Sequence, residues 1–215
     1  DTDDSGSNTF DSKLAYVGLD HDMGKLSVGR QSHPFADNIG GKTSIFNVYG
    51  GSSDWNYASR SSNSMKFSTT QSGITLDSIG IVDGSSTNTN AFDEFEVTLS
   101  TKLFGSDVSV GYADDVNSDI SYWGVAGSTD LGPLTMSSSY TIYDAATDKY
   151  GLELTASYSI FSVGYGDKEG TGVSYTAGAS HNLNDSLSVY AEGEMKDLDS
   201  GSDTTSWSIG SKFTF

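Results

Sequence analysis

Five glutamates occupy polar positions within segments that alternate between apolar and polar residues. They are Glu94, Glu96, Glu153, Glu192 and Glu194. Glu96, for example, lies between Phe95 and Val97. Because side chains alternate along a strand, a strand would place such a glutamate on the face opposite its apolar neighbours. Carboxylates fixed on a water-facing surface attract cations and repel anions within a Debye length of roughly 8–10 Å. A set of aligned strands would therefore give this chain a cation-attracting face.

The histidines do not indicate a hydrolytic site. His21 and His181 fall in tight turns, whereas His33 begins a long loop that we predict on the opposite side of the molecule. A Ser-His-Asp site needs its members within hydrogen-bond reach, and no pairing along the sequence supports one. We therefore expect no catalytic residues and no enzyme.

Several acidic stretches could bind divalent cations through oxygen ligands. They are 1–4, 114–115 and 197–203. None of them has the length and terminal glutamate of an EF-hand loop. We expect solvated acidic loops, with no resident metal or cofactor; divalent bridging to lipopolysaccharide is the alternative.

The composition excludes several classes of protein. The net charge of −18 argues against nucleic acid as a partner, because such binding needs a basic face. No apolar run reaches the roughly 18 residues of a membrane-spanning helix. Cysteine is absent, so a disulfide framework and a thiolate metal site are both excluded. Only 35% of the residues are hydrophobic and 25 are glycine, which leaves little for a conventional core.

Alternating segments, separated by clusters of Gly, Asp, Asn and Ser, predict an all-β chain. The predicted strands are 13–20, 24–31, 63–69, 73–82, 91–101, 106–113, 118–128, 132–143, 148–160, 162–167, 171–181, 186–196 and 204–215. Many are longer than the usual five or six residues and approach the length that a tilted strand needs to cross a bilayer. Tight connections alternate with longer, more acidic ones, which is the layout of an outer-membrane barrel. A soluble acidic β-sandwich that binds carbohydrate stays open, because its strands alternate in the same way.

Four pieces of the sequence resemble the Gram-negative general diffusion porins. They are AYVGLDHDMGKLSVGRQSHPF at 15–35, VYGG at 48–51, RSSNSMKFSTTQSGI at 60–74 and the terminal Phe215. The resemblance implies an antiparallel transmembrane β-barrel of the 16-strand porin type in the bacterial outer membrane. It also implies a homotrimer, with Phe215 as the assembly signal that the barrel-assembly machinery recognises.

The resemblance further implies a pore constriction formed by the loop 32–62, which folds inward. The acids carried over are Asp37 and Asp54, and the bases are Arg30, Arg60 and Lys66. Alternation supports Lys66, which lies between Met65 and Phe67 and so faces the lumen. Arg30 has the outward parity of Leu26 and Val28, so a bulge or the end of the strand must reorient it.

The predicted strands differ from the family in number. Thirteen are present where the porins have sixteen, so we expect that the first three are missing from this chain. Residues 1–12 would then be the remnant of an extracellular loop, and 1–215 would form a single β-barrel domain.

The predicted function is passive diffusion of ions and small hydrophilic solutes, with weak cation preference from lumen-facing glutamates. Expected partners are outer-membrane lipid and lipopolysaccharide, the solutes themselves and further copies of the chain, but no nucleic acid. A non-conducting structural or interaction barrel, such as an adhesin, phage receptor or envelope anchor, is the alternative.

Overall fold

The computed structural model describes residues 13–51, 53–55, 58–82, 92–116, 118–144 and 146–214, and these form one antiparallel sheet. The strands are β1 (Ala15–His21), β2 (Gly24–Ser32), β3 (Arg60–Gln71), β4 (Ile74–Ile81), β5 (Glu94–Leu103), β6 (Ser106–Asp115), β7 (Ile120–Leu131), β8 (Leu134–Asp144), β9 (Lys149–Tyr158), β10 (Phe161–Lys168), β11 (Gly172–Asn182), β12 (Leu187–Leu198) and β13 (Thr204–Phe213). Each strand pairs with its neighbour in the chain, in unbroken order from β1 to β13. The all-β antiparallel prediction is confirmed. A single continuous sheet in sequence order is the wall of a barrel-type fold, not the two packed sheets of a sandwich, and in the described residues it stays open between β1 and β13.

Two of the tight turns show why the sequence folds back where it does. Ser72 and Gly73 join β3 to β4 with φ of 51° and 81°, and Phe104 and Gly105 join β5 to β6 with φ of 52° and 88°. Positive φ at both central residues is the requirement of a type I′ hairpin, whose twist matches that of the strands it joins. Glycine at the second position meets this requirement without steric cost.

The outer face of the sheet carries exposed apolar side chains on most strands. They include Leu26, Met65, Phe95, Leu99, Val110, Trp123, Val125, Tyr140, Leu154, Val163, Tyr175, Met195, Trp207 and Ile209. Aromatic rings meet across neighbouring strands, as Tyr112 and Trp123 do with centroids 4.5 Å apart. An apolar outer band with aromatic residues is the surface that a barrel presents to lipid.

The inner face receives the segment that joins β2 to β3. This segment, residues 33–59, is called the inner loop below; it contains the short helix α1 (Pro34–Asn38) and a 3-10 turn (Gly40–Lys42). No helix within the described ranges has the length and apolar character needed to cross a membrane.

The apolar centre of the molecule lies between α1 and the inner face. Phe35 and Ile39 are fully buried and pack with Ala113, Tyr122 and Ala126. They lie over Gly111 and Gly124, which are paired directly across β6 and β7. A Cβ at either glycine would come within 3.0 Å of Phe35, so the missing side chains make room for the helix.

The inner loop is shorter than the sequence predicts, at 33–59 instead of 32–62, because β3 begins at Arg60. The pairing between β2 and β3 shifts register between Gly29 and Gln31, and then resumes with Gln31 opposite Ser61. Asn63, with φ of 53°, lies in the shifted part of β3. A bulge of this kind adds a residue to one strand, so the simple alternation of inward and outward side chains is interrupted there.

Candidate functional site

The inner loop crosses the inner face and contacts widely separated strands. Near its start the amide of Phe35 donates to Glu96 on β5, at 3.0 Å. Further along, Thr43 Oγ1 donates to Glu153 Oε2 on β9, at 2.8 Å, and the amide of Asn47 donates to Glu192 on β12, at 2.7 Å. The loop then returns to β8, where Trp55 N donates to Thr141 Oγ1 at 2.8 Å.

Glu192 is the acceptor for several loop donors at once. Its Oε1 accepts from Asn47 N at 2.7 Å and from Asn47 Nδ2 at 2.9 Å, and its Oε2 accepts from Val48 N at 2.9 Å. Glu194 on the same strand accepts from Gly50 N at 3.4 Å and pairs with Lys196. Charge-assisted hydrogen bonds of this kind are about twice as strong as neutral ones.

The five predicted glutamates do lie on the inner face, but they are buried there, and four of them accept hydrogen bonds from the inner loop. Glu94, Glu96, Glu153, Glu192 and Glu194 are between 2% and 8% exposed. The physical reason is that an inward loop brings backbone N–H groups that need acceptors once they are buried. Carboxylates on the wall supply them, so Glu96, Glu153, Glu192 and Glu194 anchor the loop.

His33 joins a hydrogen-bonded relay that the sequence analysis does not predict. Its Nδ1 lies 2.6 Å from Glu96 Oε1, and its Nε2 lies 2.8 Å from Ser61 Oγ. This is the connectivity of a Ser-His-acid triad. The His33 side chain is 0% exposed, however, so a substrate could not reach Nε2 for proton transfer. The relay ties the start of the inner loop to β3 and β5.

Asp54 lies within the contact between the inner loop and the wall, where it is buried. Its Oδ1 accepts from Ser139 Oγ at 2.6 Å, while its Oδ2 is buried without a hydrogen-bond partner. Lys168 Nζ donates to the Asp54 backbone carbonyl at 3.2 Å. Burial raises the pKa of the Asp54 carboxyl, although the Ser139 hydrogen bond and the Lys168 charge act in the opposite direction.

Asp37 and Lys66 are the predicted constriction residues that the structure brings together. Lys66 Nζ lies 4.0 Å from Asp37 Oδ2, with 21% of the lysine side chain and 53% of the aspartate side chain exposed. Lys66 also donates to the carbonyl of Ser32 at 3.1 Å, which fixes its direction. This pair stands at the exposed edge of α1.

The side chains of Arg30 and Arg60 do not point toward the Asp37–Lys66 pair. Arg30 Nη1 donates to Ser62 Oγ at 3.4 Å, and Arg30 lines a concavity with the exposed apolar residues Val28 and Met65. Because the extra residue of the register shift lies in β3, Arg30 keeps the outward-facing position that alternation along β2 predicts. Arg60 pairs with Ser32 and adjoins Ser61, whose hydroxyl faces inward, so alternation directs Arg60 away from the inner face.

Two features of the site escape simple pattern reading. Asp77 on β4 accepts from Asn38 Nδ2 at 3.1 Å, yet it shares its face with Ile79, which is 1% exposed. Apolar residues therefore occur on the inner face of β4 and obscure the alternation. Trp55 packs on Tyr143 with ring centroids 4.9 Å apart, and Lys168 Nζ lies 4.2 Å from its ring centroid.

Some predictions concern residues that the structure does not describe, and others concern a metal ion. Phe215 and the stretch 1–12 are not among the described residues, so their predicted roles stay predictions. In the described part of the chain, no three His, Asp or Glu side chains converge as ligands of a metal ion.

Comparison with known structures places this architecture among outer-membrane porins. Salmonella typhi OmpF in complex with daunomycin superposes with a TM-score of 0.75 at 15% identity, covering 93% of this chain and 77% of that one. The trimer form of Vibrio cholerae OmpT, an outer membrane protein, gives 0.69 at 15% identity, covering 89% and 72%. A mutant of Rh. blastica porin gives 0.59 at 14% identity, covering 93% and 78%. At these identities the likeness is one of fold.

The fold and its inward loop thus define the class as an outer-membrane β-barrel of porin architecture. A sequence model of the Gram-negative porin family matches residues 1–201. The chain belongs to the Gram-negative porin family, and its place is the bacterial outer membrane. No curated protein matches it by sequence.

Proposed function

We propose that this chain forms a passive diffusion channel for ions and small hydrophilic solutes, narrowed by the inner loop and weakly selective for cations. The observation that carries the proposal is the seating of the loop across the polar inner face, with the Asp37–Lys66 pair at its exposed edge. A loop that is bonded to the wall from β5 to β12 reduces the cross-section of a lumen without closing it.

The cation preference rests on negative charges that are either bonded only to neutral groups or more exposed to water than their positive partner. The carboxylate of Glu192 is bonded to neutral amides, which stabilise its charge without cancelling it. Asp37, at 53% exposed, meets the water more openly than Lys66 at 21%. Fixed negative charge within a Debye length of about 8–10 Å enriches cations in the passage.

The homotrimer, the contacts with lipid and lipopolysaccharide and the assembly machinery belong to the same proposal. The trimer form of Vibrio cholerae OmpT supports a trimer here through likeness of fold. The exposed apolar outer face, with Trp207 and Ile209 above 70% exposed, supports contact with lipid.

Neutralising Asp37 tests the selectivity. Across a tenfold KCl gradient we expect a reversal potential of cation sign, well below the ideal value of about 59 mV. Asp37→Asn should move it toward zero, because a half-exposed carboxylate at the passage is removed. Asp185→Asn, the same charge change in an exposed turn, should leave it unmoved. A wild-type potential of anion sign, or equal effects of the two variants, would contradict the proposal.

A further inference from the structure

The inner loop returns along the wall through a short arm, residues 53–55. Ser139 donates to Asp54 Oδ1 at 2.6 Å, and Trp55 Nε1 donates to the carbonyl of Tyr150 at 3.0 Å. These bonds hold the arm on β8 and β9. How closely it approaches the wall depends on what lies between those bonds.

Gly151 lies directly under this arm. A Cβ built on Gly151 would overlap the backbone carbonyl oxygen of Ser53 and come within 2.9 Å of Thr141 Oγ1. The strand cannot retreat, because Gly151 pairs with Thr141 on β8 and with Lys168 on β10. The carbonyl cannot rotate away either without moving the arm, because it belongs to the backbone.

Gly166 lies under the same arm but meets a different kind of atom. A Cβ there would overlap Ser53 Oγ and lie 2.7 Å from Ser174 Oγ. The two closest contacts are hydroxyl groups at the ends of rotatable side chains, and the third, Ser53 Cβ at 3.0 Å, has to give by only a few tenths of an ångström. An added methyl group at Gly166 can therefore be accommodated by rotation and a slight shift, whereas one at Gly151 meets the Ser53 carbonyl itself.

A further wall glycine receives the middle of the inner loop. A Cβ on Gly164 would lie 2.8 Å from Phe46 Cε2, and the Phe46 ring also covers Gly178. Glycine thus lies under the loop on neighbouring strands, where its missing side chain lets the loop lie close to the wall.

We propose that Gly151 is a specificity-determining residue, which sets the width of the passage by letting the Ser53 carbonyl lie flat against the wall. A methyl group at this position pushes the arm away from β9 until van der Waals separation of about 3.5 Å is restored. Since the wall is fixed, the displacement goes into the lumen and lowers the size limit for hydrophilic solutes. The proposal rests on the channel function proposed above.

Three glycine variants test it. Gly151→Ala should lower the single-channel conductance and the largest neutral sugar that enters proteoliposomes. Gly166→Ala should stay much closer to wild type than Gly151→Ala, because its closest overlaps are with side-chain hydroxyls that can rotate. Gly127→Ala, whose Cβ would meet its nearest atom at 3.4 Å, should match wild type. Unchanged conductance in folded Gly151→Ala, or equal losses at positions 151 and 166, would overturn the proposal.

A second readout does not depend on conduction. Trp55 follows the displaced residue by two positions, and with Trp123→Phe and Trp207→Phe it becomes the only tryptophan of the chain. In that background Gly151→Ala should increase acrylamide quenching of Trp55, and Gly166→Ala should not. Increased quenching in a protein that never conducts would support close packing of the arm on Gly151 while contradicting the channel function. Unchanged quenching in a conducting protein would overturn the proposed role of Gly151 and leave the channel function standing.

A folding failure of Gly151→Ala moves the test to Gly164. Gly164→Ala should lower conductance through the Phe46 ring, and combining it with Phe46→Leu should restore part of the loss. A folded Gly164→Ala with wild-type conductance would then overturn the proposal.

Discussion

Carboxylates on the inner face of this sheet fall into two environments, and each has its own physical consequence. Asp37 is 53% exposed beside Lys66, so we expect its charge to act on ions in the proposed passage. Glu192 is 6% exposed beneath loop amides, so its charge acts on the loop. Asp54 belongs with the second group, but one of its oxygens lacks a partner. Burial therefore raises the pKa of the Asp54 carboxyl, which makes this residue a test of how pH acts on the loop.

The Asp54 carboxyl should make the free energy of unfolding decrease as the pH rises. Below about pH 3.9 the carboxyl is protonated in both the folded and the unfolded chain. Above it the unfolded chain ionises first, because burial raises the folded-state pKa of Asp54. The free energy of unfolding therefore decreases, by at most about 1.4 kcal/mol per pH unit, until the raised pKa is passed.

Asp54→Asn isolates this contribution. The variant keeps an acceptor for Ser139 and has no charge to bury. Its unfolding temperature in detergent should rise relative to that of the wild type as the pH increases through this window. Asp185→Asn, in an exposed turn, should follow the wild-type curve. Parallel curves for Asp54→Asn and wild type would contradict the assignment.

At the scale of elements, the inner loop is held more by polar bonds than by an apolar core. Pro34, Phe35 and Ile39 are its fully buried apolar residues among those described, and all three lie at one end. From Thr43 to Trp55 the attachment is mainly by hydrogen bonds to the wall, above all to Glu192 and Glu153, with the rings of Phe46 and Trp55 packed beside them. Removing one such acceptor should loosen the loop without unfolding the sheet.

Glu192→Gln tests this expectation. The change replaces an anionic acceptor of several amides by an amide whose own N–H groups face donors, at a cost of about 1.5–3 kcal/mol for a lost charge-assisted bond. Open-channel current noise should increase, and trypsin should cut faster at Lys42 in the inner loop. The strand content measured by circular dichroism should not change.

The matched control is Glu169→Gln, outside the inner face. Glu169 Oε2 accepts from the amide of Tyr150 at 3.2 Å at an exposed position. The same chemical change should leave noise and proteolysis at wild-type levels. Quiet currents and slow proteolysis in Glu192→Gln would show that the loop does not depend on this carboxylate.

At the scale of the whole molecule, the sequence predicts what depends on period and turn chemistry. Alternation predicts the thirteen strands and the inward direction of Lys66 and of the five glutamates. The covering of those glutamates could not be predicted, because it depends on where the loop lies. The position of the inner loop depends on glycines such as Gly151, and on contacts between residues far apart in the sequence, such as His33 with Glu96. The direction of Arg60 could not be predicted either, because the bulge near Asn63 separates it from the regular part of β3.

Single-channel conductance of the purified wild-type protein in a planar bilayer decides whether the inner loop leaves an open channel. A lumen narrowed but not closed by the inner loop predicts discrete, stable current steps, arriving in groups of three if each insertion delivers a trimer. A protein that inserts with its strand content intact and yet stays electrically silent would contradict the channel. That result would favour a structural or interaction barrel.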